Sequence, residues 1–143
     1  MTGPADNSAP PKVVGLGAPI SVWIYFDVIE IPAVAAAIAE ELDRYSDRGN
    51  ANGEWADHAD ELRSMLADIE LASASRVTGR FDVVWPTVLA HSVLRGAVAH
   101  AQRRLVGAAP HEVGSARLAL AAAERTSADF DAVDRGGREA VWL

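Results

Sequence analysis

The chain contains no cysteine. That excludes a disulfide framework, a thiol nucleophile and any thiolate metal site. Lysine is almost missing as well: Lys12 stands alone, and the rest of the 13 basic residues are arginine. Against 20 acidic residues this leaves a net charge of -7. So negative a chain is ill suited to gripping phosphate backbones, which need a positive surface, and nucleic acid is not the expected partner. Long apolar runs are missing because Asp27, Glu30, Glu40 and Glu41 interrupt the best candidates. None of the runs is long enough to cross a bilayer, so no membrane association is expected. The opening MTGPADNSAPPK has no basic segment leading into an apolar one, so no secretory signal is expected either. The simplest expectation is a cytoplasmic location, or a virion if the chain is phage-encoded. Its alanine-rich, arginine-over-lysine composition is that of a GC-rich genome, such as an actinobacterium or one of its phages.

Motifs for common chemistries are missing too. There is no G-x-x-x-x-G-K-[ST] or G-x-G-x-x-G to cradle phosphates, no G-x-S-x-G nucleophile elbow and no His-x-x-x-His zinc pair. Neither a cofactor nor a metal ion is expected.

What is present is a core. Half of the 143 residues are hydrophobic, enough for one folded domain. Residues 1–19 carry Pro4, Pro10, Pro11 and Pro19 among Gly, Ser, Asn and Asp. Too little apolar area is available there to offset the ordering entropy, so this stretch is expected to be a mobile or partner-docked arm on a helical domain spanning 20–143. The run ISVWIYFDVI is β-branched and aromatic and predicts a short, largely buried strand.

The spacing of apolar residues predicts four helices. The first starts near Pro32 with Ile31, Val34, Ile38, Leu42 and Tyr45 on one stripe, and SDRGNANG ends it. The second runs from about Gly53 to Ala74 with Trp55, Ala59, Leu62, Leu66 and Ile69 as its seam. The third runs from about Pro86 to Val106, burying Ala90, Leu94, Val98, Ala101 and Leu105. The fourth starts at Pro110 and carries Val113, Ala116, Leu120, Ala123 and Phe130. The tail GGREAVWL reads either as a short strand beside the first one or as a cover for the core through Val141, Trp142 and Leu143. The expected fold is mainly α: a four-helix bundle with one or two short strands near the termini. Small inner faces let its helices approach closely.

FDVIEIP at Phe26–Pro32 and FDVVWP at Phe81–Pro86 nearly repeat one another, each ahead of a helix, a loop and a second helix. The repetition suggests two stacked helical hairpins. Asp27 and Asp82 read as carboxylates at helix starts, where they accept orphan N–H groups. Trp23, Trp55, Trp85 and Trp142 stand at strand or helix-start positions suited to core packing.

Two clusters carry possible chemistry. In EWADHADE, Glu54, Asp57, His58 and Glu61 share one helical face and have metal-ligand chemistry. They lie opposite the Trp55–Leu62 seam, however, where a solvated face belongs. In HSVLRGAVAHAQRR, Arg95 and His100 form an arginine, four residues and a histidine, and Arg104–His111 repeats the pattern more loosely. This resembles the R-x4-6-H signature of HEPN-domain ribonucleases, helical bundles that usually dimerise. The resemblance implies metal-independent RNA cleavage, with Arg95 countering phosphate charge and His100 transferring or orienting a proton. Five residues rotate a helix by about 140°, so the pair would have to meet across a dimer or a kink. On the residues alone, Arg103 and Arg104 also suit the negative end of the third helix's dipole.

The composite expectation is a non-catalytic interaction or assembly protein, with a protein partner or further copies of itself. The HEPN-like ribonuclease or toxin is the alternative.

Overall fold

The computed structural model describes residues 21–48, 53–75 and 79–136. The arm at 1–19 and the tail from 137 onward lie outside them. Among the described residues the chain forms β1 (Ser21–Asp27), α1 (Ile31–Arg48), α2 (Gly53–Ala74), β2 (Arg80–Pro86), α3 (Thr87–Val106) and α4 (Val113–Gly136). Short 3₁₀ turns at Val28–Glu30 and Pro110–Glu112 lead into α1 and α4. The fold is mainly helical with a two-stranded sheet, and no described helix is long and apolar enough to cross a membrane.

The helices bury the centres of their stripes, while Val98 and Leu105, expected on the buried side of α3, are only half-buried. Val34, Ile38, Leu62, Ile69, Ala90, Leu94, Ala116, Ala123 and Phe130 are all buried. One core cluster runs from Val22 to Phe130, so the described residues fold around a common centre. The helices form a row: α1 packs against α2 and α3, and α3 packs against α4. Small residues set the central spacing. A Cβ placed on Gly96 of α3 would lie 3.1 Å from the Ala37 Cβ of α1, so glycine is what permits this approach.

The strand beside β1 is the mid-chain segment β2, joined antiparallel with Phe26 opposite Phe81 and Asp27 opposite Arg80. Gly79, at φ +81°, introduces β2, and its carbonyl accepts from Val28 N–H at 2.9 Å. Each strand leans on the second helix of the other half, β1 on α4 and β2 on α2. The two α-hairpins are thereby cross-tied by exchanged strands.

The expectation of a largely buried first strand is corrected. Burial alternates: Val22, Ile24 and Phe26 face the core, while Trp23 and Tyr25 face out. Among the described residues, helices cover one face of the sheet, so period-two alternation turns Trp23 and Tyr25 to the other. Trp23 is therefore not a core residue, whereas Trp85 is buried and donates its indole N–H to Asp68 Oδ2 at 2.9 Å. The side chains of Trp55 and Trp142 lie outside the described residues.

Candidate interaction surface

The outward face of the ribbon is built from alternate residues of both strands. Trp23, Tyr25 and Val84 are 48%, 53% and 60% exposed, and Val84 stands directly opposite Trp23. Exposed aromatics of this size on a small sheet form an uncovered apolar patch of the kind that marks contact surfaces. The patch is held in place. The Trp23 indole N–H donates to Asp82 Oδ2 at 2.6 Å, and its ring lies 7° from parallel with Tyr25 at a centroid distance of 6.4 Å. The Arg80 guanidinium sits 5.8 Å from the Tyr25 ring centroid, within cation–π range. Asp82 thus orients an aromatic side chain from mid-strand and does not cap a helix start, which corrects its sequence-based role.

Beside this face, a groove of about 570 Å³ opens between β1 and α4. Trp23, Ile24 and Tyr25 form one wall with Arg80, and Phe130 and Val133 form the other. Most of the lining is apolar, and β1 pairs only with β2 among the described strands. Val84 of β2 also lines the groove, which therefore reaches from α4 across β1 to the outer face of the ribbon.

Behind the ribbon lies a buried carboxyl group that the residue pattern did not single out. Asp27 Oδ1 accepts from Ile29 N–H at 3.1 Å, while Glu30 Oε2 accepts from Asp27 N–H at 2.8 Å, completing a capping box. Asp27 therefore does what its position predicted. Glu30 is 1% exposed, and its Oε2 also accepts from Thr126 Oγ1 at 2.9 Å. Burial raises its pKa to about 7, outweighing those two hydrogen bonds and the nearby Arg125, which act in the opposite direction. The Asp-x-x-Glu spacing was the available signal for the capping box. Nothing local announced Thr126, which arrives from α4.

Arg95 is exposed on α3, and no hydrogen bond joins it to His100 among the described residues. His100 instead lies 3.2 Å from Glu40 Oε1 of α1 through Nε2 and 3.1 Å from Arg103 through Nδ1. Arg103 and Arg104 occupy the last turn of α3, and Arg104 reaches Ser115 Oγ at 3.4 Å. Asp57 and Glu61 are exposed on α2, and the His58 ring meets the Tyr45 ring edge-on at 5.2 Å. The described residues contain no group of three or more histidine, aspartate or glutamate side chains placed to hold a metal ion. Comparison adds no relative: no family model matches the chain, and neither a curated protein nor a solved structure is significantly similar to it.

Proposed function

We propose that the chain is a non-catalytic interaction module that binds a protein partner, or further copies of itself, through the outer face of the β1–β2 ribbon. The supporting observation is the Trp23–Tyr25–Val84 patch, exposed yet fixed by Asp82 and Arg80. Aromatic anchors dominate the binding energy of protein interfaces, and a side chain already ordered loses less entropy on docking. The test replaces Trp23, Tyr25 and Val84 together with serine. The triple variant should keep its helical circular dichroism and melting behaviour. It should lose the concentration-dependent mass increase in light scattering, or the partner cross-linked to the wild-type chain in its native host. Equal association by both proteins would remove the proposal.

The alternative of a HEPN-like ribonuclease draws on one feature, a histidine held between Glu40 and Arg103 on α3. It requires Arg95 of one copy to meet His100 of another. RNA cleavage that Arg95→Ala and His100→Ala each abolish would establish it in place of the interaction reading.

A further inference from the structure

We propose that the edge of β1 turned away from β2 pairs antiparallel with β1 of a second copy of the chain, about a two-fold axis at Ile24. This pairing takes the ribbon as a contact surface, as proposed above, and names its occupant. The hydrogen-bond register shows which backbone groups the edge offers. Val28 N–H donates to Gly79 O at 2.9 Å, one place beyond the Asp27–Arg80 pair of the ladder. Hydrogen-bonded pairs alternate in an antiparallel ladder, so Val22, Ile24 and Phe26 turn their backbone groups toward β2. Ser21, Trp23, Tyr25 and Asp27 turn theirs the other way. Asp27 has the phase this requires, because its N–H donates to Glu30 Oε2. Among the described strands only β2 pairs with β1, which leaves Trp23 and Tyr25 without a strand on that side. The groove wraps this edge: inward Val22 and Ile24 and outward Trp23 and Tyr25 all line it.

Such an edge ordinarily carries a charge, a proline or a bulge that keeps other strands away. Ser21–Phe26 has no charge and no proline, and its register with β2 is unbroken. The charges favour a second copy as the occupant. A two-fold contact sets a surface against itself, so it must carry both signs or neither. The strand carries neither from Ser21 to Phe26, although the chain has a net charge of -7. The groove carries both, with Arg80 as its base and Asp129 as its acid. An acidic or a basic peptide would set like charge against one of them. Pairing about Ile24 places Trp23 opposite Tyr25 of the second copy on the outer face, and Val22 opposite Phe26 on the inner one. Asp27, the one charge of β1, then meets Ser21. Aromatic cross-strand pairs of this kind are favourable, and the same two residues supply the backbone groups that bond across.

Hydrogen exchange and light scattering on the full chain test the pairing together. At high concentration the mass should be that of a dimer, with the Trp23 and Tyr25 amides protected. Dilution to the monomer should speed exchange of these two amides about tenfold or more, while the Val22, Ile24 and Phe26 amides keep their rates. Tyr25→Pro removes an N–H that points away from β2, whereas Tyr25→Ala keeps it. The alanine chain should therefore dimerise about tenfold more tightly than the proline chain. If the proline chain fails to fold, the dilution result on the wild-type chain decides. A dimer whose Trp23 and Tyr25 amides ignore dilution would overturn the proposal, as would equal association by two folded variants. A chain that stays monomeric at every concentration would overturn it too, and would leave the outer face to a different protein.

Discussion

Phe-Asp-Val is written twice in this chain and folded in two ways. At Phe26–Val28 the strand ends: Asp27 turns its carboxylate onto the next backbone amides, and a helical turn begins. At Phe81–Val83 the strand continues: Asp82 points outward and holds the Trp23 indole. The phenylalanines remain equivalent, facing each other across the ribbon with ring centroids 5.7 Å apart. What separates the copies is the residue three places beyond the aspartate. Glu30 reaches back to the Asp27 amide and closes a capping box. In the second copy that place belongs to Trp85, whose ring belongs in the core and keeps the backbone extended. The same trimer therefore serves as a helix cap beside a glutamate and as mid-strand beside a tryptophan.

The sharpest way to break the comparison is at that third residue. Trp85→Ala empties a fully buried site and leaves Asp68 without its donor, so a loss of about 3–5 kcal/mol is expected in urea unfolding. Trp23→Ala, on the exposed face of the same ribbon, should cost under about 1 kcal/mol. Comparable losses would mean that the two faces of the sheet had been misassigned.

Glu30 gives the next largest effect, with a definite sign. Its folded pKa of about 7 lies above the ordinary 4.5, so the folded state holds the proton more tightly than the unfolded state. The contribution is fully present below pH 4.5, falls as pH rises through the interval and is gone above pH 7. The total is about 3 kcal/mol. Glu30→Gln, which keeps an acceptor for Asp27 and Thr126, should be more stable than wild type at pH 8 by up to that amount. The two proteins should converge at pH 4. Parallel stability curves across this range would refute the assignment.

The smallest effects compare the aspartates themselves. Asp27→Ala removes a cap and should cost about 1 kcal/mol. Asp82→Ala loosens only an exposed indole, so thermal melts should show a shift below about 0.5 kcal/mol. It should nevertheless weaken association through the outer face, because Trp23 would no longer be held.

These contrasts show which features were legible in the sequence. The α2 bounds, Gly53 and Ala74, followed from turn residues and a four-three apolar rhythm, both local signals. The seams were incomplete where small or flexible residues fill the core: Met65, Ala97 and Ala122 are buried but stand off the strict stripe. The partner of β1 was not legible, because strand pairing joins residues separated by two helices. The outward turn of Trp23 was hidden for a related reason: an aromatic in a short apolar run reads as core until the number of covered faces is known. Glu30 looked like a mere interruption of an apolar run, and nothing near it in sequence announced that Thr126, on a distant helix, joins the Asp27 amide in bonding its buried carboxyl group. For Arg95 and His100, spacing alone said nothing of Glu40, which supplies the imidazole's contact across to α1.

The exchange of strands between the two hairpins makes each half an incomplete object. Cut between Ser75 and Gly79, β1 would leave with α1 and α2 while the helix it rests on, α4, departs with β2. Two polypeptides made separately would each carry an orphaned ribbon strand and a bare helical flank. Mixed, they have every reason to reassemble, which makes this chain a natural candidate for a split reporter whose signal depends on reunion.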